Sequence, residues 1–429
     1  MDYFNYKNGE LYCEQVPVAD IANEVDSPVY IYSKATLLEH YQKLAQAFSD
    51  PELDTTICYS VKSLANLSIL GLLREAGSGF DVVSGGELAR VLEVGGDPSK
   101  VVYAGVGKTD AEIAQALKAG IGWFNIESEQ EFENISRIAA ELQIKTRAAL
   151  RVNPDVYDPK THAYTTTGKK ETKFGVDIDR APEFFEKYGR DAFVKLDSIH
   201  LHIGSPIYSA APYVAALRKA IAFIEDLRAK GFEINVLDLG GGFAADYEEG
   251  KSPAAQQYAE EIVPLVKQAK VKLILEPGRH IACNSGIMLT KVLYTKKGGE
   301  KRFAIVDGAM TDLIRPALYQ AEHFIFNANL GDAPEPRRSM DYAPEGGEVV
   351  DIVGGVCETS DVLGYARNLL PVKRDDLIAV FSAGAYGFVM SSQYNSRPRA
   401  AEVLVDGESF AVIRRRENYE DLFAAEKQI

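Results

Sequence analysis

The run TTICYSVKSLANLSILGLLREAGSGFDVVS, residues 55–84, decides the fold. Thr56-Ile57-Cys58-Tyr59-Ser60-Val61-Lys62 is an apolar stretch that reads as a buried strand stopping on an amine. Asn66–Glu75 follows as a helical segment, and GFDVVS, ending at Ser84, is a second strand. The same alternation continues downstream. Strands ending at Gly105 (VVYAG), Ser128 (WFNIES), Pro154 (AALRVNP), Gly204 (SIHLHIG), Gly242 (NVLDLGGG) and Arg279 (LILEPGR) alternate with helices such as Gly86–Glu93, Asp110–Ala119 and Pro212–Ala229. Eight strands separated by helices predict a parallel (β/α)8 barrel over residues 34–280. An open dinucleotide-binding sheet competes, but no GxGxxG turn follows an early strand.

After Arg279 the texture changes. Ile287–Lys296, Arg302–Val306, Val349–Val353, Leu377–Phe381, Ala401–Val405 and Phe410–Arg414 read as strands with few helices between them. They predict a second, mainly antiparallel β domain, a sandwich or barrel, over residues 281–429. Leu11–Val16 and Val29–Tyr32 are also strand-like, so residues 1–33 can join that sheet and make the barrel an insertion. Asn327–Glu348, rich in Pro, Gly and acidic residues, reads as a surface loop.

With 429 residues, two domains are expected. A net charge of -15 and scattered basic residues disfavour nucleic acid or an anionic membrane as partner. The N-terminus has no basic stretch before an apolar core, as a signal peptide would, and no run is long enough to span a bilayer. Cys13, Cys58, Cys283 and Cys357 lie at unrelated spacings, which argues against a disulfide framework or a zinc site. A reducing cytoplasm is the expected location, and no metal is expected.

In such a barrel functional groups gather at the carboxyl ends of the strands. A lysine buried there, Lys62, must be paired or lose its charge, and desolvation frees its lone pair to attack a carbonyl. The plain alternative is a lysine that reaches solvent along its stem. Gly240-Gly241-Gly242 and Glu276-Pro277-Gly278-Arg279 close the seventh and eighth strands, a common phosphate position in this fold, although a triple glycine also makes a simple tight turn. Period-two alternation puts His200 and His202 on one face, where an imidazole can stack on an aromatic ring and Ser205 can bond a phosphate oxygen; a satisfied core histidine is the alternative. Glu276 needs a partner: either Arg279 pairs with it, or it holds a protonated pyridine nitrogen. Lysine, phosphate cradle, flat histidine and ring-nitrogen carboxylate together point to pyridoxal 5′-phosphate (PLP).

With its motifs YSVKS, GFDVVSGGEL, FNIES, LRVNPD, TKFGV, HLHIGS, LDLGGGF, EPGR, DGAMTDLIRPALY, CETSDVLG, GAYGF and YNSRPRAAEVLVDG, the chain resembles the fold-type III PLP-dependent decarboxylases, closest to the diaminopimelate decarboxylase family, from Pro28 to Arg415. The resemblance implies that Lys62 forms the Schiff base and His202 stacks on the ring. Ser205, Gly241, Gly242, Gly278 and Arg279 would surround the phosphate, Glu276 would bind the ring nitrogen, and Tyr386 would touch cofactor and substrate. Arg279, Arg315 and Tyr319 would hold the substrate's distal carboxylate. Cys357, as proton donor, and Glu358, at the substrate, would enter from the partner subunit of a head-to-tail homodimer. The implied reaction converts meso-2,6-diaminopimelate to L-lysine and CO2, the last step of lysine biosynthesis.

The residues allow most of this by themselves. Arg315 and Tyr319 are four apart, on one face if helical, and a guanidinium fork suits a carboxylate; a structural pair between Arg315 and Asp312 is the alternative. Cys357 is either a buried small hydrophobe or, beside Glu358, a proton donor, and Asp361 reads as structural. Three departures from the commonest pattern stand out: Ser63-Leu64 before Ala65-Asn66, Pro206 after HIGS, and CETSD in place of CESGD. Competing functions are decarboxylation of ornithine, arginine or carboxynorspermidine, whose cationic tails would want an acidic residue in place of Arg315. A racemase would want a weaker electron sink than Glu276 gives. A non-catalytic PLP-binding protein would be expected to lack the second domain.

Overall fold

The structure, a computed structural model, describes residues 3–156 and 173–427. Its chain divides into two compact units: Met1–His40, Ala245–Ser252 and Ile281–Ile429 form one, and Tyr41–Ala244 with Pro253–His280 the other.

The second of these units is the barrel. Its strands are β1 (Thr55–Ser60), β2 (Gly79–Val82), β3 (Val101–Tyr103), β4 (Trp123–Ile126), β5 (Thr146–Asn153), β6 (Val194–His200), β7 (Val236–Asp238) and β8 (Lys272–Leu275). Each pairs in parallel with the next, and β8 returns to β1, so the sheet closes. Helices begin where polar caps stand at the strand ends. Asn66, Ser84, Thr109 and Ser128 each accept a backbone N–H of the first turn with their side chains, and Thr109 with Glu112 forms a full capping box. Every barrel strand expected from the sequence is present, but each ends two to four residues before the glycine, serine, lysine or arginine that seemed to close it, except β5, which runs to within one residue of Pro154. Those closing residues belong to the segments that follow: Lys62 to a 3-10 turn and Arg279 to a short helix, Arg279–Ala282.

In the β unit one sheet runs in the order Val362–Leu369, Glu348–Val353, Lys301–Val306, Gly286–Gly298, Val29–Ser33, Ala401–Asp406, Ser409–Arg414, and Leu377–Val380 bridges Gly286–Gly298 to Ile325–Asn327. All pairs are antiparallel except Lys301–Val306 with Glu348–Val353 and Val29–Ser33 with Ala401–Asp406. Val29–Ser33 therefore joins the large sheet, as the sequence allowed. Glu10–Cys13 does not: it pairs with Phe4–Lys7 and Val16–Pro17 in a sheet of its own. An Asn8-Gly9 turn with both residues at positive φ closes that hairpin and fixes its register. Ala245–Ser252 was expected in the barrel but is bound to the β unit, where Asn284 and Ser382 donate to the Asp246 carbonyl and Met340 N–H donates to Glu248. Among the described residues no helix is long and apolar enough to cross a membrane.

Candidate active site

The pleat of the barrel strands builds a polar layer. Cys58, Val102, Trp123, Val236 and Ile274 form a buried apolar cluster. Two residues further along their strands, on the same face, stand Ser60, Asn125, Asp238 and Glu276, all buried. Asp81, Arg151 and His200 add to them from the ends of β2, β5 and β6, in register with Ser60, His200 and Asp238 respectively. The apolar filling is thus capped by charge at the carboxyl ends of the strands.

Lys62 lies beyond its strand. After Ser60 a single 3-10 turn, Val61–Ser63, carries it over the rim. Its Nζ sits 2.6 Å from Asp81 Oδ2, and its side chain is 34% exposed while that of Asp81 is 0% exposed. Ser60 Oγ donates to the same carboxylate oxygen at 2.6 Å. The desolvated amine expected from the sequence is therefore, in this state, a paired ammonium at the mouth of the barrel. Burial and the charge of Glu276 raise the Asp81 carboxyl above its usual range, with the Lys62 ammonium working against them.

Glu276 occupies the floor. Asn125 Nδ2 donates to its Oε1 at 3.0 Å and to Asp238 Oδ2 at 3.3 Å. His200 Nε2 is 3.4 Å from Glu276 Oε2, without hydrogen-bond geometry. Burial alone would raise the Glu276 carboxyl, yet His200, Lys62 and a hydrogen bond from Asp238 together carry it well below the ordinary range. It is an anion. Arg279, the structural partner suggested by the sequence, instead donates from Nε to Ser205 Oγ at 3.3 Å.

Strand β6 ends at His200, so period-two alternation does not extend to His202, which stands in the following loop. Its Nδ1 accepts the Gly241 N–H at 3.3 Å. Burial first, then the cations Arg151 and Lys62, push its pKa well below the usual value, so the imidazole is neutral and flat. The glycines answer first to packing. A Cβ on Gly241 would meet the Glu276 carbonyl at 2.2 Å, and one on Gly242, at φ +105°, the Gly204 carbonyl at 2.4 Å. Gly278 lies against Ser60 and Ser63, whose atoms a Cβ would meet at 2.9–3.0 Å.

Within the β unit, Arg315 and Tyr319 open and close the short helix Arg315–Tyr319. The Arg315 guanidinium is buried, lies over the rings of Tyr247 and Tyr319 at 5.5 and 6.0 Å, and donates from Nε to His323 Nε2 at 3.4 Å. Asp312 is not its partner in these contacts; that carboxyl accepts the Ala309 N–H, and burial raises its pKa to about 6. Tyr386 sits at φ +56°, half-buried, in the glycine-rich turn Gly384–Gly387. Cys357 is exposed, not the buried hydrophobe that was the alternative, and its N–H donates to Asn395 Oδ1 at 3.0 Å. Glu358 is exposed too and accepts from Tyr394 Oη at 2.5 Å and Ser360 Oγ at 2.9 Å, which lowers its carboxyl pKa. Asp361 is structural, receiving the Met310 and Val356 N–H groups.

Sequence reasoning missed Asp81, Asn125, Arg151 and Asp238. One signal was available: each is a lone polar residue between apolar neighbours near a strand's end, as in Phe80-Asp81-Val82, Phe124-Asn125-Ile126, Leu150-Arg151-Val152 and Leu237-Asp238-Leu239. Arg151 is the least satisfied. Its Nη1 reaches both Glu127 oxygens at 3.2–3.3 Å, while among the described residues the buried Nε and Nη2 have no hydrogen-bond partner. These unmet donors, an amine beside an acid, a neutral imidazole and an anionic floor fit a PLP-sized polar aromatic group. His200, Asp238 and Glu276 also bring donor atoms within 4.8 Å of one another. The Asn125 amide points N–H groups at both carboxyls, which marks a hydrogen-bonded acid pair and not a cation cage.

The profile of a family described as "Pyridoxal-dependent decarboxylase, pyridoxal binding domain" matches residues 34–283. A diaminopimelate decarboxylase of Vibrio cholerae is 46% identical over 99% of this chain and 99% of its own length. One of Aquifex aeolicus is 44% identical over 97% and 96%. Among solved structures, diaminopimelate decarboxylase from Helicobacter pylori complexed with L-lysine superposes with a TM-score of 0.88 at 38% identity, covering 95% of this chain and 99% of that one. A lysine/ornithine decarboxylase from Vibrio vulnificus, at 18% identity and a TM-score of 0.77 over 91% and 97%, shares the fold.

Proposed function

The chain belongs to the pyridoxal-dependent decarboxylase family, and from that membership we propose that it converts meso-2,6-diaminopimelate to L-lysine and CO2, completing lysine biosynthesis as a PLP-dependent carboxy-lyase. One observation carries the reading at the level of chemistry: Lys62 is held 2.6 Å from Asp81 over a barrel floor where Glu276 is kept anionic. The full-length relatives carry the choice of substrate.

PLP, when bound, supplies the electron sink that accepts the Cα–carboxylate bonding pair. Lys62 is the amine that would hold it, and Asp81 both orients that amine and takes up its charge. Glu276 would pair with the ring nitrogen and keep it protonated. The neutral His202 offers a flat face. Ser205, Arg279 and the backbone N–H groups of Gly241, Gly242 and Gly278 would serve the phosphate. Arg315, buried yet cationic, would bind the substrate's distal carboxylate with Arg279, beside Tyr319 and Tyr386. An ornithine-like tail ending in an ammonium would be repelled there, which is the physical reason for preferring diaminopimelate.

Cys357 and Glu358 would act from a second copy of the chain in a head-to-tail dimer, Cys357 returning a proton to Cα; their exposure supports this placement. Four cysteines, none of them in a disulfide, accord with a reducing cytoplasm as the location. The test is CO2 release by purified protein with PLP, offered meso-diaminopimelate, lysine, ornithine and arginine in parallel. Release from meso-diaminopimelate alone is expected. Release only from ornithine or arginine would overturn the substrate, and no release from any would favour the non-catalytic reading.

A further inference from the structure

Two carboxyl groups, Asp238 and Glu276, are buried side by side at the ends of neighbouring parallel strands, and one side-chain amide serves both. Asp238 Oδ1 is occupied by the Gly240 N–H at 2.9 Å, so its other oxygen, Oδ2, is the one turned toward the pair. Around them stand Asp81 with Lys62, the His200 imidazole and the Cys58 thiol, which burial keeps protonated. Two adjacent carboxylates in such a place cannot both ionise, and the proton belongs to the pair.

We propose that Asp238 and Asn125 are positioning residues for Glu276: Asp238 carries the proton the two carboxyls share and donates it to Glu276, while Asn125 clamps both groups, so that the anion is fixed on Glu276 and aimed at the cofactor ring. The proposal rests on the assignment of Glu276 to the ring nitrogen. Two features decide which partner keeps the proton. The His200 imidazole, within 4.8 Å of both carboxyls, makes its close approach, 3.4 Å, to Glu276 Oε2, and burial together with the Glu276 charge lifts the Asp238 carboxyl well above its ordinary range. A neutral acid beside an anion forms a strong charge-assisted hydrogen bond, which removes the tendency of buried Glu276 to pick up a proton itself.

The test needs a readout of the proton itself. Infrared spectra of the apo-protein at neutral pH should contain a carboxylic-acid C=O band that disappears in Asp238→Asn and moves to higher frequency in Glu276→Gln, where the acceptor has lost its charge. Absence of an Asp238-dependent band, or a band indifferent to Glu276→Gln, overturns the proposal. The second comparison keeps it decidable if Asp238→Asn fails to fold. In PLP titrations Asp238→Asn still offers a donor to Glu276, and the unpartnered Asn125 Oδ1 can turn to meet it. Its affinity should stay within about threefold of wild type, whereas Asp238→Ala should bind roughly ten- to a hundredfold more weakly. Equal losses in the two variants would show that a donor amide of the same size cannot stand in for the acid, and would sink the idea that Asp238 serves Glu276 as a hydrogen-bond donor. An Asp238-dependent band in a protein whose Glu276→Gln variant binds PLP as wild type does upholds the shared proton and removes instead the assignment of Glu276 to the ring.

Discussion

Glu127→Gln tests whether the polar layer of the barrel is held by charge. Glu127 and Arg151 form an ion pair at 3.2 Å whose side chains are 2% and 6% exposed, and Glu127 also accepts the Gly105 and Gly175 N–H groups at 3.1 Å each. At an effective dielectric of about 20, unit charges 3.2 Å apart attract by about 5 kcal/mol. Desolvation of both ions offsets most of that in the folded protein. The offset does not return when one charge alone is removed, because glutamine leaves a buried guanidinium with no anion, a loss of about 3–5 kcal/mol. Arg151→Met is milder, about 2 kcal/mol, since the carboxylate keeps its two backbone donors. The double variant buries neither charge, so it should be more stable than Glu127→Gln alone, with a coupling of about 2–3 kcal/mol. Urea unfolding followed by tryptophan fluorescence reads this directly: Trp123 is the sole tryptophan and sits in the apolar cluster of the barrel. A Glu127→Gln protein within about 1 kcal/mol of wild type, or a double variant whose loss is the sum of the singles, would refute the reasoning.

Three further outcomes are expected. Lys62→Ala should lose CO2 release and the absorbance of lysine-bound cofactor, and borohydride reduction followed by mass spectrometry should find no cofactor on the chain; a retained adduct at another lysine would reassign the site. Arg315→Ala should raise KM for diaminopimelate roughly ten- to a hundredfold, the loss of one charge-assisted pair, with PLP affinity unchanged; unchanged KM would remove its carboxylate role. Asp312 has its folded pKa raised from 3.8 to about 6 by burial, so between those values the folded state keeps a proton the unfolded state has lost, and stability falls as pH rises through that window. Asp312→Asn should flatten this fall, worth on the order of 3 kcal/mol, in denaturation curves taken at pH 4 and pH 7, and an unchanged slope would contradict the assignment.

The fold was legible because the barrel rests on period. Each strand is a short apolar run, each helix an amphipathic one, and closure of eight such units depends on no single residue. The β unit was read less completely. Val362–Leu369 was missed because Gly364 interrupts its pattern and Ala366 takes a positive φ, at a place where pairing with Glu348–Val353 shifts register. Ile325–Asn327 is too short for periodicity to register. Lys62 was found for a reason the structure modifies. The residue follows the first barrel strand, as the sequence suggested, but it stands two residues past the strand's end, in the turn Val61–Ser63, which brings it to a partner, Asp81, nineteen positions on. Pairings of that kind are set by strand register across the sheet, which no local pattern encodes.

The same register explains why the missed residues are the ones that tune the site. Motif reading favours residues that are unusual for their surroundings in sequence, such as a triple glycine or a terminal lysine. Asn125 and Asp238 look ordinary, each one polar side chain in an apolar strand. Closure of the barrel then places them beside Glu276, and the charges of the layer sort themselves. Lys62 answers Asp81, Arg151 answers Glu127, and burial holds the proton on Asp238. Glu276 is left as the anion, met by the Asn125 amide, the His200 imidazole and the proton that Asp238 donates. Among the described residues no lysine or arginine touches Glu276, so an anion fixed in this dry floor is costly, and a ligand that brings a protonated ring nitrogen would relieve that cost. On the proposed assignment of Glu276 to the ring nitrogen, the specificity of the site for such a ligand resides less in the groups that would touch it than in the neutral acid and amide that prevent Glu276 from satisfying itself with a proton.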